Sequence, residues 1–331
     1  MNWNEILDSF QLQPEEIEQV TEKVYKIKAN QQYYALKRTP YQEDVFGKWL
    51  AIQQYLDQQQ IFAFAPIFQS KQKQPFIYDQ QAIYYLMPWL ERSTQEQPID
   101  EYETVMHTIG RLHGTTMQSH PTQSLKDNKD TITAQFQQEL LQYREQSLGY
   151  LRQIEAKRFM APTELQFCMY YRDLLQIYDT LEEWQNYYVT ELEKTEQMKY
   201  CLCHGNLQPS HYVVANPYTY LLNWEYAYMS SPTYDLTVYY QYLFQFHDCD
   251  MNKLKQAFLV YCQYVPLTNF EKSLFVLQIL SPARLLHMAT EQNNNRLDSL
   301  SYSMELERIY RTLLFGFEMQ ASVYQQLQAM E

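Results

Sequence analysis

The stretch from residue 204 to residue 236 constrains this chain more than any other. It reads His204-Gly205-Asn206-Leu207-Gln208-Pro209-Ser210-His211, then Tyr212-Val213-Val214, then Leu221-Leu222-Asn223-Trp224-Glu225, and finally Ser231-Pro232-Thr233-Tyr234-Asp235-Leu236. Short apolar segments of strand length alternate with loops rich in hydrogen-bonding side chains, and the last loop runs into a helix start. At 331 residues the chain is long enough for about two domains or lobes with substantial cores. These loops are therefore one part of a larger scaffold.

The frame resembles the catalytic core of the aminoglycoside phosphotransferase and choline kinase-like proteins. There the core reads His-Gly-Asp-x-His-x-x-Asn, followed after a hairpin by an apolar strand ending in Ile-Asp-Trp/Phe-Glu. His204, Gly205, Leu207 and Pro209 keep the frame, as do Trp224, Glu225, Tyr226 and Ala227. The resemblance implies that Asn206 stands at the catalytic aspartate position, His211 at a metal-binding asparagine and Asn223 at the second metal-binding aspartate. Asp235 matches the buried aspartate of the family's following helix. With His204 and Gly205 it forms the structural part of the motif.

Those exchanges bear on chemistry. Phosphoryl transfer depends on positioning and electrostatics, with a carboxylate for the acceptor hydroxyl and magnesium for the phosphate oxygens. An amide at 206 takes no proton at neutral pH, and loss of a general base costs about 10²–10⁴-fold in rate. Asn223 offers a neutral carbonyl where magnesium prefers an anionic oxygen, and His211 offers nitrogen to a hard cation. The expectation is a pseudokinase without functional catalytic residues or a metal, and with weak or absent Mg-ATP binding. Two alternatives stay open: a ligand-sensing pseudokinase, and an active ATP-dependent small-molecule phosphotransferase using Glu225 as a relocated metal ligand.

The resemblance implies an α+β, bilobal protein-kinase-like fold, with a small antiparallel-sheet N-lobe over 1–90 and a larger, mainly helical C-lobe over 91–331. The local patterns agree in order. Val24–Lys28 and Tyr33–Arg38 read as strands across an Ala-Asn-Gln-Gln turn, and Val45, Trp49, Ile52 and Leu56 recur at helical spacing. Strands are expected at 66–68, 76–78 and 83–87. Only 6 glycines occur in the chain, and none lies in 28–33, where a phosphate-covering loop would sit. Lys37 takes the place of the phosphate-pairing strand lysine and Glu43 that of its helix partner. The pair reads equally as a remaining nucleotide clamp or as an ordinary ion pair. Met87-Pro88-Trp89-Leu90 matches the crossover where such kinases bind adenine through the backbone, and Pro88 has no N–H to give.

In the C-lobe, Val105, Ile109 and Leu112 mark a helix, and His113 at its end reads as a packed histidine. Residues 118–130 are polar and turn-rich, the pattern of an exposed loop. Helices are expected over 131–158, 163–197, from Leu236 onward, and over 253–264, 268–291 and 297–330. Cys201, Cys203, His204 and His211 invite a zinc reading, but a Cys-x-Cys entering a strand reads more simply as residues facing opposite sides. The five cysteines form no spaced disulfide framework.

A net charge of -13 disfavours a nucleic-acid surface. The N-terminus lacks the pattern of a secretory signal, and no apolar run approaches the length of a membrane span, so no membrane insertion is expected. The 31 tyrosines and the runs of glutamine are interleaved with apolar residues rather than gathered in a tail. Together with the altered core, this composition resembles the YutH-type, CotS-related spore coat proteins. That kinship implies synthesis in the mother-cell cytoplasm, assembly into the spore coat and other coat proteins as partners. It leaves the oligomeric state open.

Overall fold

The computed structural model describes residues 3–40, 43–59, 61, 64–79, 81–91, 100–215, 218–246, 248–290 and 298–328, with 43–46 and 218 by backbone alone. The chain runs α1 (Trp3–Ser9), β1 (Glu16–Gln19), β2 (Val24–Ala29), β3 (Gln32–Pro40), α2 (Glu43–Gln58), β4 (Ile77–Tyr78), β5 (Ala82–Pro88) and α3 (Glu101–Thr116). It continues through β6 (Gln118–Pro121), α4 (Gln123–Asp127), α5 (Lys129–Glu155), α6 (Pro162–Lys194), β7 (Gln197–Cys203), β8 (Tyr212–Ala215), β9 (Tyr218–Leu221) and β10 (Tyr228–Ser230). The helices α7 (Thr233–Leu243), α8 (Met251–Tyr264), α9 (Asn269–Ile279), α10 (Ala283–Thr290) and α11 (Ser299–Gln328) close it. The result is the expected α+β fold, an antiparallel sheet region followed by a larger helical one.

Two compact units emerge, one of residues 1–108 and 209–227, the other of 109–208 and 228–331. This differs from a division at residue 90: the boundary runs through α3, and the segment carrying His211, Asn223 and Glu225 joins the first unit.

The first unit is built on a five-stranded antiparallel sheet in the order β1-β2-β3-β5-β4. Strand β2 alternates half-buried and buried residues, so Tyr25, Ile27 and Ala29 face a core shared with Ile6 and Leu7 of α1, Leu36 and Leu86. The turn between β2 and β3 is tighter than a phosphate-covering loop. Ala29 pairs with Gln32, and the two residues between them, Asn30 and Gln31, both adopt positive φ, of 51° and 62°. That is the pattern of a two-residue primed hairpin turn, whose twist matches the flanking strands. No strand forms at 66–68; instead Phe68 makes a single bridge to Leu86. In α2, Trp49 and Leu56 are buried, on the stripe their spacing predicts.

The second unit holds a small sheet, β10-β7-β6, inside a helical body. Here the expectation of an open loop over 118–130 fails. Gln118–Pro121 instead pairs with Gln197–Tyr200 at the sheet edge, and α4 follows at once. Composition is a poor guide at an edge strand, because pairing satisfies the backbone whatever the exposed side chains are. The expected helix over 163–197 ends at Lys194, with β7 beginning at Gln197, and the one over 268–291 breaks at Ser281-Pro282, where proline has no amide to continue the ladder. Helix α9 begins with a capping box in which Thr268 and Glu271 each accept the other's backbone amide.

Candidate functional site

In the first unit, Lys37 is brought to β3's inner face, and its ammonium is buried. Its Nζ donates to Asn223 Oδ1 at 2.6 Å and to the Glu225 carboxylate. Tyr85, on the neighbouring strand β5, donates its hydroxyl to the same carboxylate at 3.2 Å, and the Lys37 ammonium lies 5.5 Å from the centre of the Tyr85 ring. Trp49 of α2 packs on Tyr85 from 5.2 Å. Burial pushes the Lys37 ammonium down, and Glu225 only partly offsets it. Burial also pushes the Glu225 carboxyl up, but Lys37, with a backbone amide and the Tyr85 hydroxyl, more than offsets that and holds it below its ordinary value.

Asn223 sits at φ 65° and ψ 54°, a left-handed conformation that asparagine tolerates better than most side chains do. The turn that follows, Trp224–Tyr226, carries Glu225 toward Lys37. Lys37, Asn223 and Glu225 thus form one bonded group. Glu43 begins α2, and its side chain lies outside the described residues. His211 closes a short 3-10 turn, and its carbonyl accepts the Leu222 amide at 2.7 Å, fastening the two ends of the β8–β9 hairpin.

Magnesium would meet a poor donor set here: Glu225 Oε1 and Asn223 Oδ1 both accept from the Lys37 ammonium, which already supplies positive charge. His211 would add a nitrogen, a poor ligand for a hard cation. The neighbouring crossover is similarly committed. Pro88 has no amide proton, and the next donor, Trp89 N–H, is given to the Tyr33 carbonyl at 3.0 Å.

In the second unit, Asp235 at the start of α7 is fully buried and accepts the backbone amides of His204 at 2.6 Å and Gly205 at 2.8 Å. Gly205 has φ 78°, a conformation for which a residue without Cβ is suited. Asn206 follows, its amide 3.4 Å from His204 Nδ1. A third contact of Asp235 is from Oδ2, which also accepts the His204 amide, to His113 Nε2 at 3.2 Å, while His113 Nδ1 meets the Tyr261 hydroxyl at 2.8 Å. Burial pushes the Asp235 carboxyl up, yet His113, His204 and the Gly205 amide together hold it below its ordinary value.

Sequence reasoning missed the third layer of this group. Cys201 and Cys203 do not face opposite sides of β7: two residues apart on a strand, they share a face, and their Sγ atoms lie 3.9 Å apart. Both are buried beside His113. Strand periodicity alone would have placed them together.

Comparison with known proteins gives the fold a name. The model of the phosphotransferase enzyme family (APH) matches residues 15–255, well over half of the chain. A solved aminoglycoside phosphotransferase from Alicyclobacillus acidocaldarius superposes with a TM-score of 0.70 at 16% identity, covering 99% of this chain and 97% of its own. AMP-bound spectinomycin phosphotransferase gives 0.57 at 15% identity, over 93% and 94% of the two chains. A microcompartment-associated aminopropanol kinase gives 0.53 at 9% identity, over 93% and 92%. No curated protein matches the chain. At such identities the likeness of structures carries the fold alone, but the family model matches the sequence itself, and this chain belongs to the phosphotransferase enzyme family.

Proposed function

We propose that this chain is a family member that no longer transfers phosphoryl groups and serves as a structural component of the bacterial spore coat. The observation that carries the loss of transfer is the bonding of Lys37. In an active kinase the lysine pairs with nucleotide phosphates and an aspartate holds the metal. Here the corresponding amide, Asn223, accepts from the lysine at 2.6 Å, and Glu225 neutralises it. A nucleotide would have to break a buried ion pair before gaining the lysine, and leaving one partner of such a pair alone costs about 3–5 kcal/mol. Asn206 adds the absence of a general base. The coat assignment is supported by the joint resemblance of this altered core and the tyrosine- and glutamine-rich composition to spore coat proteins. Its partners would be other coat proteins, met after synthesis in the mother cell.

Titration calorimetry with ATP and excess magnesium tests the nucleotide part. Weak or absent heat is expected. A micromolar, magnesium-dependent signal lost in Lys37→Ala would replace this reading by a ligand-sensing one. Transfer to choline, aminoglycosides or sugars should stay at the level of a no-protein control. Robust turnover abolished by Glu225→Gln would establish the active phosphotransferase instead.

A further inference from the structure

We propose that His113, Cys201 and Cys203 form a binding site for a soft divalent cation of the zinc type, separate from the positions at which the family's kinases would hold magnesium. The ligand atoms of the three residues all lie within 4.8 Å of one another, and all three residues are buried. A tetrahedral zinc with Zn–S bonds of about 2.3 Å needs its two sulfurs about 3.8 Å apart. Cys201 and Cys203 hold theirs at 3.9 Å without a change of backbone.

The scaffold around them is rigid. Both cysteines lie on β7, the central strand of its sheet, with Cys201 opposite Ser230 and Cys203 opposite Tyr228 on β10. The Leu202 amide between them is tied to Thr116 Oγ1 at 3.0 Å, which joins β7 to the end of the helix that carries His113. Gly110, one turn earlier on that helix, leaves room for Tyr264: a Cβ there would stand 2.9 Å from the tyrosine ring.

The surroundings of the histidine are those of a metal ligand. Imidazoles that bind metals usually donate their other N–H to a carboxylate, which fixes the tautomer. Asp235 stands 3.2 Å from His113 Nε2 in that role, leaving Nδ1 to carry the lone pair. The Tyr261 hydroxyl, 2.8 Å from Nδ1, supplies an oxygen for the fourth position once it turns off the ring. Two thiolates and a neutral imidazole give a charge of about -2, which a divalent cation cancels.

Binding needs both sulfurs as thiolates and the imidazole neutral, so it forms two M–S bonds and one M–N bond and releases to solvent the protons that those ligand atoms carry. Cys168, Cys249 and Cys262 belong to no such group of ligand atoms among the described residues.

The test uses the full chain carrying Cys168→Ser, Cys249→Ser and Cys262→Ser together, stripped with a chelator and titrated with Cd²⁺. One equivalent should produce the near-ultraviolet charge-transfer band of cadmium thiolate, and Zn²⁺ should displace it. Cys201→Ser or Cys203→Ser in that background should weaken binding at least about tenfold. Absence of a stoichiometric band, or a band unchanged in either serine variant, overturns the proposal. Should a serine variant not fold, calorimetry of Cd²⁺ binding to the parent in buffers of different ionisation enthalpy decides: one equivalent bound with proton release supports the site, and no stoichiometric binding, or binding without proton release, overturns it.

Discussion

Two side chains, Lys37 and Asp235, do different work in the two parts of the motif. Asp235 retains its structural work, because His204 N–H and Gly205 N–H point at it from a loop that has no other buried anion to turn to among the contacts described. Its folded carboxyl is held below 3.8, so it contributes stability above that value and loses it as the pH falls through its folded value. Asp235→Asn keeps the shape but removes the charge that faces His113 and two amides. We expect it to lower unfolding free energy by about 3–5 kcal/mol at neutral pH, measured by urea denaturation. The gap between wild type and variant should begin to narrow only below the ordinary aspartate value of 3.8 and go on narrowing as the pH falls through the lower folded value of the carboxyl. A gap independent of pH would mean that the carboxylate's charge is not what the loop needs. Lys37 is buried too, and its bonds to Asn223 and Glu225 tie β3 to the 223–225 turn.

At the scale of elements, the β2–β3 hairpin concentrates the departure from a nucleotide-covering loop into two residues. Gln31 sits at φ 62°, where an L side chain other than asparagine costs about 1–2 kcal/mol. Gln31→Gly should therefore raise stability by about 1 kcal/mol after glycine's extra unfolded-state entropy is subtracted. Asn30→Gly should gain less, since asparagine already tolerates this region. The check is the urea midpoint at constant slope, and a loss of stability in Gln31→Gly would contradict the strain argument. Much of this element order was legible in the chain. Alternation in Val24–Ala29 and the Trp49–Leu56 spacing report burial directly, and burial is what periodicity encodes. The edge strand β6 was not legible, because Gln118-Ser119-His120-Pro121 is exposed throughout and only its backbone partner on β7 makes it a strand. Nor was the short helix α1, whose two buried residues, Ile6 and Leu7, are too few to show a period. At the site, the spacing within 204–235 placed the motif residues in the chain but not their bonds. Lys37 and Glu225 stand 188 residues apart, and His113 and Asp235 stand 122 apart, distances over which sequence pattern says nothing about contact.

For the whole molecule, the question is what use the chain makes of a phosphotransferase-family fold in which Lys37 is paired with Glu225 and residue 206 is an amide. Packing and burial, which Asp235, the capping box of α9 and the hydrophobic clusters around Ile27 and Phe270 serve, are needed irrespective of turnover. If its use is assembly, as proposed, the surfaces and not the altered core set its place in the cell. The exposed tyrosines, Tyr226 and Tyr324 among them, would then be the groups open to oxidative coupling within a coat. Replacing Lys37, Asn206 and Asn223 together by alanine in a sporulating host separates the possibilities. Because Lys37 is half of a buried pair, the variant must first be shown to fold, by circular dichroism and a cooperative urea transition. A fluorescent fusion of the folded variant should still gather at the forming spore, and the protein should still need harsh extraction from coat material, as the wild type does. A wild-type fusion that stays diffuse in the mother cell would defeat the coat assignment outright. Loss of spore localisation in the folded variant alone would show instead that a ligand at the altered core governs assembly, and would move the chain from scaffold to sensor.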